Sequence, residues 1–254
     1  MLEIIQLPVL NDNFIYLIHE PGSNKTAVVD PALCQPVLDT LKQKGWFLDY
    51  ILNTHHHLDH IGANLDLKAA TNCKIIAAKA DQHRIPKVDI TVKEGDEIML
   101  GSEPISVIET PGHTLGHIIF HFYKSKLLFC GDTLFSMGCG RLFEGSAEQM
   151  WHSLQKIKAL AKQTKIYCAH EYTQANGKFA LSLEPENKAL QQRIHQVNQL
   201  RTENLPTIPC TLAQEMATNP FLRVDSLELQ QSIKMTGQPE NKVFKTIRQL
   251  KDQF

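Results

Sequence analysis

Thr54-His55-His56-His57-Leu58-Asp59-His60 packs four potential metal ligands, His55, His57, Asp59 and His60, into six residues. Tyr50-Ile51-Leu52-Asn53 ahead of it reads as a strand, and Ile61–Thr71 behind it reads as a helix. A turn leaving the carboxyl end of a strand is where open α/β folds put their chemistry. Alternate side chains of an extended segment share a face, so His55 and His57 can converge on one ion. Asp59 and His60 lie where the chain turns and can reach a second ion beside it. Imidazole and carboxylate at this density suit first-row metals better than they suit an incidental polar loop.

Three more potential ligands occupy similar places further along. His113 lies in Thr110-Pro111-Gly112-His113-Thr114, directly after a strand at 105–109. Asp132 lies in Cys130-Gly131-Asp132-Thr133, after a strand at 127–130, and His170 lies in Ala169-His170-Glu171, after a strand at 165–168. A lone histidine after a strand is ordinarily a surface residue. Its repetition at successive strand ends argues otherwise: if those ends face one edge of a sheet sandwich, the ligands converge.

The rest of the chain supplies the frame. Further strands read at 2–9, 14–19, 26–30, 74–78, 97–100 and 118–122, and helices at 36–44 (stopping at Gly45) and 146–160, where Ser146 and Gln149 form a capping-box pattern. After Tyr172 no further strand pattern appears; helices read at 187–204, 212–217, 226–234 and 240–251, punctuated by Pro206, Pro209, Pro220 and Pro239. The expected organisation is a mixed α/β domain at 1–172 and a small helical domain at 173–254.

Composition narrows the function classes. The 254 residues carry a net charge of −1 and 43% apolar residues, ordinary for a globular protein with a proper core. No basic face points to nucleic acid. No apolar run approaches a membrane span, and no signal peptide opens the sequence. The six cysteines form no C-x-x-C pair and read as reduced, buried residues, which makes the cytoplasm the expected compartment.

The order T-H-x-H-x-D-H, P-G-H-T, G-D-T and C-A-H-E resembles the metallo-β-lactamase superfamily. Gly138-Cys139-Gly140-Arg141-Leu142-Phe143-Glu144-Gly145, Tyr167-Cys168-Ala169-His170-Glu171-Tyr172-Thr173, Asn219-Pro220-Phe221 and the terminal Arg248-x-x-Lys251-Asp252-x-Phe254 are similar to the glyoxalase II, or hydroxyacylglutathione hydrolase, family. The resemblance covers nearly the whole chain. It implies an αββα sandwich followed by a helical C-terminal domain. It also implies a dinuclear centre: His55, His57 and His113 on one ion, Asp59, His60 and His170 on the other, Asp132 bridging. The ions would be two divalent metals, zinc first, with iron or manganese as alternatives. Asp59 and Asp132, together with a hydroxide held between the metals, would be the catalytic groups. His56 and Leu58 fall at non-ligand positions; Asp30 and His117 read as supporting residues and the remaining histidines as ordinary.

The implied reaction is hydrolysis of S-D-lactoylglutathione and related 2-hydroxyacyl thioesters to the hydroxy acid and glutathione, the second step of methylglyoxal detoxification. The implied partner is that small molecule alone, with the chain acting as a monomer. The resemblance puts Arg141, Phe143, Tyr172, Arg248 and Lys251 around glutathione, whose two carboxylates call for cations. Many relatives carry Lys where Arg141 stands and Tyr where Phe143 stands, and Phe143 offers no hydroxyl. Rival readings are a mononuclear-iron persulfide dioxygenase, a β-lactamase or lactonase, and a non-catalytic metal-binding protein. The complete ligand set and the helical tail argue against each.

Overall fold

The computed structural model describes residues 1–254. They form two compact units: residues 1–109 with 115–131, and residues 110–114 with 132–254.

The first unit contains strands β1 (Glu3–Val9), β2 (Asn13–Glu20) and β3 (Lys25–Val29), helix α1 (Cys34–Lys44), β4 (Tyr50–Leu52), helices α2 (Leu58–Ile61) and α3 (Asn64–Thr71), β5 (Lys74–Ala78), β6 (Ile90–Val92), β7 (Glu97–Leu100), β8 (Glu103–Glu109), β9 (Ile118–Phe122) and β10 (Leu127–Gly131). Strands β1 to β6 make one sheet in sequence order, antiparallel as far as β3 and parallel from there on. Strands β7 to β10 pair antiparallel, each with the next.

Every residue of β2 is buried, because both faces of its sheet are covered. On one face Ile15 and Leu17 pack with Val28, Ile51 and Ile75 against Val37 and Leu41 of α1 and Leu67 of α3. On the other, the Tyr16 ring meets Phe129 of β10 edge-on at 5.4 Å. Full burial of an aliphatic side chain of this size contributes about 1.5–3 kcal/mol, so the continuous Phe14–Ile18 run is a strong anchor. Helix, sheet and second sheet are thus layered within this unit.

Two details differ from the sequence reading. The single helix expected at 61–71 is broken into α2 and α3. Ala63 donates its N–H to the Pro31 carbonyl (2.9 Å), and a Cβ on Gly62 would lie 2.9 Å from the Ala32 carbonyl oxygen, so the chain bends to meet the 31–32 turn. Asp59 and His60 consequently ride on the helical turn of α2. Strand β6 has only three residues, too few for a period to be read, which hid it.

The second unit begins with a hairpin, β11 (Leu134–Phe135) and β12 (Gly138–Cys139), followed by α4 (Ala147–Lys158), β13 (Lys165–Cys168), α5 (Thr173–Leu183), α6 (Lys188–Thr202), β14 (Cys210–Thr211), α7 (Leu212–Thr218), α8 (Leu227–Ser232) and α9 (Glu240–Gln253). The capping box expected at Ser146 and Gln149 opens α4, and Thr211 with Gln214 forms another at α7. Phe221 packs between Phe179 and Phe244, with ring centroids 6.2 and 5.6 Å away, and Met137, Ala180, Leu190 and Val197 form a separate cluster. The helical region holds one strand after all: β14 pairs antiparallel with β13, Cys210 opposite Ile166. Two residues are too few to show a period. Helix α5 also stands where none was read, its interior Gly177 lowering the helical signal. No two cysteines form a disulfide; five are buried and Cys34 is half-buried. No helix is long and apolar enough to cross a membrane.

Candidate metal centre and adjoining cavity

In the first unit the parallel register of β3 and β4 sets Val29 opposite Leu52, which brings Asp30 beside Thr54. The Thr54 N–H donates to Asp30 Oδ1 (2.8 Å) and its hydroxyl donates to Oδ2 (2.6 Å). That carboxylate also lies 3.1 Å from His60 Nδ1, and Asn53 donates its side-chain amide to the His60 carbonyl (3.2 Å). Asp30 therefore ties the start of the histidine-rich turn to its end, which gives the supporting role expected of it a definite geometry.

The candidate ligands are held from behind. His55, completely buried, has Nδ1 3.0 Å from the Thr54 hydroxyl and turns Nε2 to within 3.0 Å of His57 Nδ1. Two ligand atoms on one tetrahedral ion at 2.0–2.1 Å stand about 3.3 Å apart, so this spacing fits a shared cation. His60 Nε2 lies 3.5 Å from Asp59 Oδ2, and Asn13 donates to that same oxygen (3.0 Å). His117, also buried, stacks on His55 with centroids 4.8 Å apart. His56 faces away from this group: its Nδ1 is 3.2 Å from buried Asp81, whose other oxygen takes Arg84.

In the second unit Asp132 directs its two oxygens at two different imidazoles. Oδ2 is 3.3 Å from His113 Nε2, and Oδ1 is 3.4 Å from His170 Nε2. His113 donates Nδ1–H to the Arg141 carbonyl (2.9 Å), which turns Nε2 toward a carboxylate oxygen. A neutral imidazole there offers a lone pair, and the carboxylate oxygen beside it a second donor atom, to one cation. The donor chemistry of both units, imidazole and carboxylate oxygen, accordingly fits divalent metal ions.

A cavity of about 450 Å³ in the second unit is lined by His113 and Asp132 together with Arg141, Phe143, Tyr172, Arg248 and Lys251. Its walls differ in freedom. Phe143 is exposed and meets the His113 ring edge-on at 5.1 Å; Tyr172 stacks on His170 at 4.8 Å. Arg248 is 3% exposed and already engaged: it donates to the Cys139 carbonyl (3.0 Å) and to Asp252 (2.8 Å) and lies over the Phe221 ring. Lys251 is half-buried, and burial, then nearby Arg248 and Arg141, hold its pKa below the usual lysine range. Burial pushes the Cys139 thiol, also in the cavity wall, up to about 11.

The sequence reading missed several residues. Asp81 and Arg84, which brace His56, sit in a stretch without a motif. Asn176 lines the cavity with no motif to signal it, and Cys139, though inside the 138–145 motif, has no role expected from the sequence. Met137 adopts φ 56°, a left-handed conformation costing a side-chain-bearing residue about 1–2 kcal/mol, in the turn of the β11–β12 hairpin.

Comparison with known proteins bears on both units. The family model for the metallo-β-lactamase superfamily matches residues 10–170, and that for the hydroxyacylglutathione hydrolase C-terminus matches residues 171–254. A protein of Methylococcus capsulatus described as a hydroxyacylglutathione hydrolase is 55% identical over 100% of this chain and 99% of its own length. One of Rhodospirillum rubrum with the same description is 52% identical over the same shares. Among solved structures, BLEG-1, a B3 metallo-β-lactamase, superposes with a TM-score of 0.67 at 22% identity, covering 87% of this chain and 99% of that one. The fold is thus the α/β sandwich of that superfamily followed by a helical C-terminal region.

Proposed function

The chain belongs to the hydroxyacylglutathione hydrolase family of the metallo-β-lactamase superfamily, and from that premise we propose that it hydrolyses S-D-lactoylglutathione and related 2-hydroxyacyl thioesters to the hydroxy acid and glutathione. The observation that carries this reading is the cavity in which two candidate metal ligands, His113 and Asp132, share walls with the cations Arg141 and Lys251. A thioester of an anionic tripeptide needs both.

His55, His57 and His113 are assigned to one divalent ion, Asp59, His60 and His170 to the other, and Asp132 to both. Zinc is the preferred metal, with iron or manganese as alternatives that the same donors accept. When bound, such ions acidify water from a pKa of ~15.7 to roughly 7 and polarise a carbonyl. The chain supplies the rest. The Arg141 carbonyl fixes the His113 ring, and the Asp30 carboxylate fixes His60. Arg141 and Lys251 attract the glutathione carboxylates, with Tyr172 offering a hydroxyl at the rim. Phe143 offers only an apolar edge, so this chain holds glutathione with one hydrogen bond fewer than a tyrosine there would allow. Arg248, its donors turned to Cys139 and Asp252, contributes charge and shape. The departing thiolate is a good leaving group and needs little help from an acid.

In this reading residues 1–172 are the catalytic domain and 173–254 the substrate-binding domain. The chain is proposed to act as a monomer. The absence of disulfides suits the cytoplasm. Elemental analysis of the purified protein combined with a thiol-release assay on S-D-lactoylglutathione tests the proposal: two metals per chain and thiol release that stops on exhaustive chelation are expected. Full activity after chelation, or no release from the metal-loaded protein, would refute it.

A further inference from the structure

Glu215 and Asn219 stand one turn apart on and just beyond α7, have no place in the reaction above, and are completely buried. A buried carboxylate needs donors, and here two of them come from one short turn. Glu215 accepts the Ser136 hydroxyl at Oε1 (3.1 Å) and both the Met137 N–H (2.8 Å) and the Asn219 amide (2.9 Å) at Oε2. The Asn219 amide nitrogen also lies 3.1 Å from the Phe135 carbonyl oxygen and 2.9 Å from that of Gly138. The two side chains thus grip all four residues of the turn that joins β11 to β12, the turn in which Met137 is left-handed.

The hairpin transmits that grip to the candidate ligands. Leu134 pairs with Cys139, and the Gly140 N–H reaches the Thr133 carbonyl (3.3 Å). A Cβ on Gly140 would lie 2.0 Å from the Asp132 carbonyl oxygen, so the two ends of the hairpin close directly on Asp132. One residue further, the Arg141 carbonyl takes the His113 Nδ1–H. We propose that Glu215 and Asn219 are positioning residues: by pinning the 135–138 turn in its left-handed form they fix the hairpin whose closure sets the Asp132 carboxylate and the His113 ring. The inference rests on the reading of Asp132 and His113 as metal ligands.

Glu215→Gln keeps the side-chain volume but turns an NH₂ toward a ring of donors. Metal affinity and kcat/KM should each fall about 10-fold, the lower end of the range for a partner bonded directly to a ligand, because Glu215 acts through the hairpin. Amide hydrogen exchange should quicken selectively in peptides covering 132–141. Adding Met137→Gly, which removes the conformational cost of the turn, should recover at least a third of the loss in kcat/KM on a logarithmic scale. A loss spread evenly over the chain's exchange pattern, with no recovery on Met137→Gly, would reduce Glu215 to a general structural residue and overturn the proposal. So would wild-type metal affinity and exchange in Glu215→Gln. Should that variant fail to fold, Ser136→Ala, which removes a single donor, carries the same test with about a threefold effect expected, and its absence counts against the proposal. Asp132→Asn separates the premise from the inference. Metal retained in that variant would sink the ligand reading, whereas metal lost there but kept in Glu215→Gln would sink the positioning role alone.

Discussion

The candidate ligands of the first unit and those of the second are built by opposite means. His55, His57, Asp59 and His60 come from six consecutive residues, and their support is direct: Thr54 beneath His55, Asn13 on Asp59, and Asp30 placed by the register of adjacent parallel strands. His113, Asp132 and His170 come from distant parts of the sequence, and their support runs through a hairpin gripped by a helix that follows much later. The first set is held by side chains that touch it. The second depends on buried polar residues that never touch it, so a change out of contact with any ligand should be felt there and not in the turn.

The sharpest way to break this contrast is at its centre. Asp132→Ala should lower kcat/KM by more than the roughly 10–100-fold typical of a residue one contact removed from a metal, and lower metal content with it. Elemental analysis beside steady-state kinetics would check this, and an active, fully metallated variant would end the bridging assignment. Next in size is Arg248→Ala. It strips the Cys139 carbonyl of a buried donor, so about 1–3 kcal/mol of stability should go, seen as an earlier melt in denaturant, while a free-surface role would leave the midpoint in place. His56→Ala probes the first unit: braced by Asp81 and Arg84 outside the ligand group, it should cost less than about 10-fold in kcat/KM, against a far larger loss for His55→Ala. Equal losses would mean that the alternation of the turn is assigned in the wrong phase.

The smallest effect concerns pH. The pKa of Lys251 is lowered, so its neutral form appears before that of an ordinary lysine as pH rises. A cation that attracts the substrate's carboxylate is thereby lost on the alkaline side, and KM should climb there, by about fivefold at most for a solvent-accessible pair worth ~1 kcal/mol. Lys251→Met should flatten that limb. A KM that is level with pH in the wild type would remove Lys251 from substrate recognition.

Legibility in the sequence followed the same divide. The turn at 54–60 announced itself because its ligands are neighbours, and the Phe14–Ile18 run announced a strand because every side chain is apolar. Asp132 and His170 could be singled out only as residues at strand ends, by repetition and by resemblance. Strand β14 escaped because two residues carry no periodicity, and α2 and α3 were merged because the break at Gly62 is imposed by the 31–32 turn rather than by a local stop signal. Glu215 was invisible as a polar residue of an ordinary-looking helix.

The superfamily sandwich came from the resemblance; residue type and spacing alone determined that imidazoles and carboxylates are concentrated at strand ends and that cations stand near the C-terminus. Those facts need only covalent neighbours and the two-residue and 3.6-residue periods of the backbone. Which nitrogen of each ring faces the centre, that Arg248 is spent on the Cys139 carbonyl, and that a buried carboxylate grips a left-handed turn were decided by packing. A hydrogen bond between residues far apart in the chain exists only once the core has closed around it.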